Sequence, residues 1–132
     1  MNYRELAVQA VEAKKKAYAK YSNFHVGAAL LTKSGKVYEG ANIENSSYSL
    51  TICAERTAAF SAILHGEKDF EAIAIAGDSE SFTPPCGACR QVLLELCGEN
   101  LDVVLVDPNS NIKTFKLKEL IPFSFSEENL NK

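Results

Sequence analysis

Four cysteines stand at positions 53, 86, 89 and 97, and three of them fall in segments that could hold a metal ion. T-I-C-A-E-R occupies residues 51–56 and P-C-G-A-C-R occupies residues 85–90. Both spacings put a cysteine where a helix should begin. Helix N-termini, with their free N–H groups and partial positive charge, stabilise a thiolate. Cys86 and Cys89, at i and i+3, can present both sulfurs to one ion from a single turn. If the two helices start side by side, Cys53 becomes the third ligand. Three protein ligands with one position left for water is the catalytic pattern of zinc, whereas structural sites are closed by four. Cys97 is eight residues beyond Cys89, about 12 Å further along a helix. A zinc–sulfur bond of about 2.3 Å does not reach it, so Cys97 reads as a buried core thiol.

Glu55 separates an enzyme from a structural zinc site. It falls two positions after Cys53, in the first helical turn, close to the metal's open position, where it can accept and return a proton. Three thiolates on a divalent ion leave a formal charge of −1. The guanidinium of Arg56, next in sequence, can offset that charge by donating to thiolate sulfur. Arg90 fits a surface or helix-stabilising role equally well.

These residues need elements to hold them. Apolar residues from Leu6 to Tyr18 recur at helical spacing, predicting one amphipathic helix over residues 3–20. Residues 26–32 and 36–40 flank Ser34-Gly35 and predict a β-hairpin. A polar loop, 42–49, opens onto an alanine-rich helix from Cys53 to Leu64 with Gly66 as its stop. Residues 72–76 form a buried strand, 79–85 a turn-rich connection, and 90–97 a helix ending at Gly98. A second buried strand follows at 101–106, then a last strand at 112–117 and a short helix at 118–121. Buried strands joined through helices imply parallel neighbours, and the hairpin adds an antiparallel pair. The expectation is a mixed sheet with helices on both faces, in one domain of residues 1–132 whose polar tail, 126–132, frays.

Composition narrows the partners. The chain has 46% hydrophobic and 23% charged residues and a formal net charge of −3. It has no basic footprint for a nucleic-acid polymer, and Lys14, Lys15 and Lys16 read as a solvated helix face. No apolar run reaches the roughly 18 residues of a membrane span. The start M-N-Y-R-E-L has no apolar signal region, which points to the cytoplasm, where cysteines serve as ligands or buried thiols.

Other residues are ambiguous taken singly. Asn42 and Glu44 share one face of an extended segment and could fork a diol, or belong to an ordinary polar loop. Phe24 suits a pocket wall or a peripheral core position. Tyr48, Phe123 and Phe125 suit an interface or packing on their own domain. His25 reads as a strand-edge residue and His65 as a helix C-terminal one.

The two cysteine segments match the signature of zinc deaminases that act on nucleobases, with Cys53 where a histidine is frequent. With Y-S-N-F-H-V-G-A-A-L at 21–30 and G-A-N-I-E-N-S-S-Y at 40–48, the chain resembles the cytidine deaminase family. The likeness is to its short, homotetrameric, three-cysteine branch, and it runs from Leu6 to Phe125. It implies an α/β fold, a three-layer α/β/α sandwich around a five-stranded mixed sheet. It also implies one zinc ion per subunit on Cys53, Cys86 and Cys89, with Glu55 as proton carrier. Asn42 and Glu44 would bind the ribose, Phe24 would line the base pocket, and Ala54 would join the substrate-binding set. Tyr48 and Phe125 would reach a neighbouring subunit's active site in a homotetramer. The implied reaction is conversion of cytidine and deoxycytidine to uridine and deoxyuridine with release of ammonia, in pyrimidine salvage. Three rival readings are a deaminase of a cytosine-containing antibiotic, a polynucleotide editor and a zinc-stabilised binding module. The first matches the 21–30 and 40–48 segments less well, the second would need a basic groove and the third a fourth protein ligand.

Overall fold

The computed structural model describes residues 1–130. In chain order it contains α1 (Tyr3–Ala13), a 3-10 turn (Lys14–Lys16), β1 (Val26–Thr32) and β2 (Val37–Ala41). A second 3-10 turn (Tyr48–Leu50) precedes α2 (Ala54–Leu64), β3 (Phe70–Gly77) and α3 (Gly87–Cys97). The chain continues through β4 (Asp102–Val106), β5 (Ile112–Lys116), α4 (Leu117–Leu120) and a last 3-10 turn (Glu127–Leu130).

The strands form one five-stranded sheet in the order β2-β1-β3-β4-β5. Only β3 and β4 run parallel, and α3 provides the crossover between them; the other pairs are antiparallel. Side chains alternate across a strand, and here both faces are covered. Ala28, Leu30, Ile73, Ile75, Val103 and Leu105 bury against the face that carries α2 and α3. Ala29, Leu31, Ala72, Ala74, Val104 and Val106 bury against α1. The central strands therefore read as continuous apolar runs rather than as alternation, and the layering is α/β/α, as expected.

Small residues set how closely the helices approach. A Cβ on Gly40 would stand 2.3 Å from the Ala54 carbonyl oxygen and 2.4 Å from the Ala58 nitrogen. Real contacts are never that short, so only glycine lets the first turn of α2 rest on β2. Ala54, Ala58, Ala59 and Ala62 complete the contact, each wholly buried.

Three expectations change. The first helix stops at Ala13 rather than at residue 20. The chain tightens into a 3-10 turn, and Ala17 is extended. Tyr18 then donates its N–H to the Asn42 carbonyl at 2.8 Å and bridges Ile43, so backbone pairing to a distant segment overrides the helical periodicity. The third long helix begins at Gly87, three residues before the predicted start, because Cys86 caps it. Lys14 is not solvated like its neighbours: its side chain is 25% exposed and paired to Asp78. In the predicted tail, the residues up to Leu130 form a turn, and Asn131 and Lys132 lie outside the described residues.

Candidate functional site

Two helix N-termini meet on one face of the sheet. Cys53 is the N-cap of α2, with extended backbone at φ −73° and ψ 157°. Cys86 is the N-cap of α3, where its sulfur accepts the Cys89 N–H at 3.4 Å. The three sulfurs lie within 4.8 Å of one another, with 3.8 Å between Cys53 and Cys86 and 3.4 Å between Cys86 and Cys89. A tetrahedron with arms of about 2.3 Å has edges of about 3.8 Å. The spacing and the thiol donor set therefore fit one zinc ion. Cys97 is not part of the cluster. It packs against the core beneath α2 and α3, and burial pushes its thiol up to about 12.

The electrostatics of the cluster follow from its crowding. Hydrogen bonding to Cys89 is the largest influence on Cys53 and holds its thiol down at about 5, with Arg56 helping and burial opposing. The same hydrogen bond, then burial and the Glu55 charge, push Cys89 upward. Without a cation, three close sulfurs do not ionise together. Arg56 donates from its terminal nitrogen to Cys53 Sγ at 3.4 Å, while its Nε is buried with no hydrogen-bond partner among the described residues. Glu55 is only 4% exposed. Burial, reinforced by the Cys53 charge, raises its carboxyl to about 7, in the range useful for proton transfer near neutrality.

Beside the sulfurs opens a cavity of about 310 Å³, lined by Phe24, Asn42, Glu44, Cys53, Ala54, Glu55 and Cys86. Small-molecule sites begin near this size. Seven residues singled out from the sequence therefore face one space. Asn42 and Glu44 are more committed than their types suggest. Asn42 is 8% exposed, donates to the Phe24 carbonyl at 2.8 Å and accepts the Val26 N–H at 2.9 Å. Glu44 accepts the Tyr21 and Ser22 N–H groups at 2.9 and 3.0 Å and the Ser22 hydroxyl. The Ser22 side-chain bond leads the causes that hold its carboxyl below the usual range. Each keeps unused hydrogen-bonding capacity, so the pair organises the pocket rim and can still meet a ligand.

Tyr48 and Phe125 do not line this cavity. Tyr48 is 76% exposed and borders an adjoining groove with Tyr21, Ser22, Glu44 and Thr51. Phe125 is 59% exposed, and its carbonyl accepts from Gln91 at 2.9 Å. Arg90 ties α3 to α4, donating to the Pro85 carbonyl at 2.8 Å and the Leu120 carbonyl at 2.7 Å. His65 sits at the α2 C-terminus with Nδ1 2.7 Å from the Ser61 carbonyl. Ser22, Val26, Thr51, Thr83 and Pro84 also line the cavity and were not singled out from the sequence. The one available signal was adjacency, since each lies within two or three residues of a residue that was.

Comparison with known proteins converges on one family. Residues 1–105 match the model described as the cytidine and deoxycytidylate deaminase zinc-binding region. A cytidine deaminase of Halalkalibacterium halodurans is 48% identical over 131 residues, covering 99% of each chain. The crystal structure of cytidine deaminase from Burkholderia pseudomallei superposes with a TM-score of 0.92 at 47% identity, covering 95% of this chain and 100% of that one. The cytidine deaminase structure from Mycobacterium tuberculosis gives 0.84 at 38% identity, covering 95% and 98%.

Proposed function

The chain belongs to the cytidine and deoxycytidylate deaminase family, and from that premise we propose that it hydrolyses cytidine and deoxycytidine to uridine and deoxyuridine, releasing ammonia. It does so as one catalytic domain with one zinc ion per subunit. The observation that carries this reading is the three sulfurs at tetrahedral spacing beside a buried glutamate, at the floor of a nucleoside-sized cavity.

Cys53, Cys86 and Cys89 would hold the metal through Sγ. Bound there, zinc supplies a Lewis acid that makes water nucleophilic at neutral pH. The protein does the rest. Glu55 takes the proton from the attacking water and places it on ring N3, which makes C4 electrophilic. After oxygen adds at C4, Glu55 takes the remaining proton from the added hydroxyl and passes it to the departing amine, so that C4 becomes a carbonyl and ammonia leaves. Its burial at the start of α2 keeps solvent from competing for that proton. The Phe24 ring offers a face to the base, and stacking of this kind contributes about 0.5–1.5 kcal/mol beyond area burial. Asn42 and Glu44 meet the ribose hydroxyls, and Ala54 closes the cavity between ligand and acid. Arg56 offsets the anionic sulfur set.

Several features support a homotetramer with shared sites. Tyr48, Phe125 and the fully exposed Phe123 are large aromatic side chains that this chain leaves uncovered. No helix among the described residues is long and apolar enough to cross a membrane. With a net charge of −3, this agrees with a cytoplasmic enzyme of pyrimidine salvage acting on free nucleosides rather than on polymers.

The test is Glu55→Gln, which keeps shape but cannot carry a proton. Turnover measured by ammonia release should fall by at least about 10²–10⁴-fold with zinc content unchanged. Activity within tenfold of wild type would remove Glu55 from the mechanism. Running the wild-type assay across cytosine, cytidine, deoxycytidine, CMP and adenosine fixes the substrate, and turnover confined to cytosine or adenosine would overturn the nucleoside assignment.

A further inference from the structure

Asp78 follows Gly77, the last residue of β3, and lies outside the cavity lining. Its Oδ2 accepts the His25 backbone N–H at 2.7 Å and sits 2.7 Å from His25 Nδ1. A carboxylate only accepts, so Nδ1 carries the hydrogen in this pairing. Its Oδ1 is 2.9 Å from Lys14 Nζ, which also donates to the Gly77 carbonyl at 3.2 Å. One carboxylate therefore joins the end of β3, the turn after α1 and the segment leading into β1. The residues on either side of His25, Phe24 and Val26, both line the cavity.

The same corner seats the opposite wall. A Cβ on Gly77 would lie 2.4 Å from Thr83 Oγ1, so Thr83 packs directly on that glycine, and Thr83 and Pro84 line the cavity from this side. The Phe24 backbone is held on its own side by its N–H donating to Ser22 Oγ at 3.0 Å. Phe24 is 38% exposed and follows Asn23, whose φ of 55° is left-handed. Asn42 holds its carbonyl from inside the pocket; Asp78 holds the next residue from outside. Lys14 and Asp78 remain 25% and 32% exposed, and ion pairs of that exposure contribute little to stability. Three bonds to one acceptor, from two separate segments, matter more for placing those segments than for holding the fold.

We propose that Asp78 is a positioning residue for substrate binding: its carboxylate fixes His25, and through His25 the Phe24 ring that faces the base. The proposal rests on reading the cavity as the nucleoside pocket. Burial works to raise the Asp78 carboxyl, but Lys14 and the two His25 donors outweigh it and bring it to about 2. The clamp is therefore charged throughout the neutral range.

Asp78→Asn is the direct test, since it keeps the shape but puts an N–H₂ group where an acceptor stood. In zinc-loaded protein, KM for cytidine should rise about fivefold or more, with kcat within about twofold and zinc content unchanged, because a misplaced wall weakens binding rather than proton transfer. Asp78→Ser repeats the measurement should the amide variant fail to accumulate. Lys14→Met removes the ion pair but leaves both His25 bonds, so its KM should stay within about twofold of wild type. Equal losses of Tm in the Asp78 and Lys14 variants with KM unmoved in both would reduce Asp78 to a structural salt bridge and overturn the proposal. Phe24→Ala tells the two readings apart. If it raises KM while the Asp78 variants do not, only the clamp fails; if it leaves KM unmoved, the nucleoside pocket and the clamp fail together.

Discussion

Arg56 is the one cation in hydrogen-bonding contact with the sulfur cluster among the described residues, at 3.4 Å from Cys53 Sγ. Its hydrogen bond to Cys53 leads the causes that raise its already high pKa, so it stays charged whatever the sulfurs do. Three thiolates around a divalent ion repel one another, and a fixed guanidinium lowers the cost of ionising the last of them. Losing such a partner typically weakens metal affinity by about 10–100-fold. Arg56→Ala should therefore lose zinc to a chromophoric chelator at a correspondingly lower concentration while Tm of the zinc-loaded form changes little. Unchanged affinity would leave Arg56 as a packing residue beside α2.

At the scale of elements, the spacing of the cluster depends on how α2 and α3 rest on the sheet. The first turn of α2 carries Cys53, Ala54 and Glu55, and Gly40 lets it lie on β2. Overpacking a tight contact typically costs about 1–3 kcal/mol. Since a helix moves as a unit, that strain reaches the Cys53–Cys86 distance. Gly40→Ala should lower Tm and zinc occupancy together. Gly66→Ala is the control: its φ of 85° strains a side chain, but nothing lies within 4 Å of the added Cβ. It should cost stability, on the order of 1–3 kcal/mol, and leave zinc occupancy intact. Equal zinc loss in both variants, measured by metal analysis beside thermal denaturation, would mean that global destabilisation, not helix placement, governs the site.

Across the whole molecule, large apolar side chains remain uncovered. Phe123, Leu64 and Tyr48 are 109%, 86% and 76% exposed, and Phe60 and Ile63 share the outer side of α2 with Leu64. A chain of 132 residues seldom leaves so much apolar surface in water unless a partner covers it. If the partner is a second copy, the proposed sharing of sites has the tail segment 123–132 complete a neighbour's cavity. Its deletion should raise KM and shift the scattering mass towards the monomer while zinc stays bound. A monomeric peak with full activity would end that view of the assembly.

What the sequence by itself determined was local. Cysteines at helix starts, a glutamate in the first turn, and apolar runs alternating with helical spacing all act within a few residues, where propensity and dipole decide. The mixed sheet with helices on both faces could therefore be read from the apolar runs, and the clustering of Cys53, Cys86 and Cys89 from their places at helix starts. Tertiary structure decided whatever depends on partners distant in sequence. Tyr18 left the predicted helix because the Asn42 carbonyl competed for its N–H. Lys14 left the solvated face because Asp78, 64 positions away, supplied a carboxylate. Asn42 and Glu44, whose types suited either a diol or an ordinary polar loop, bond to the 21–26 segment while keeping capacity for a ligand. None of these pairings leaves a periodic trace, because a hydrogen bond depends on atoms meeting in space and the folded sheet alone brings them together.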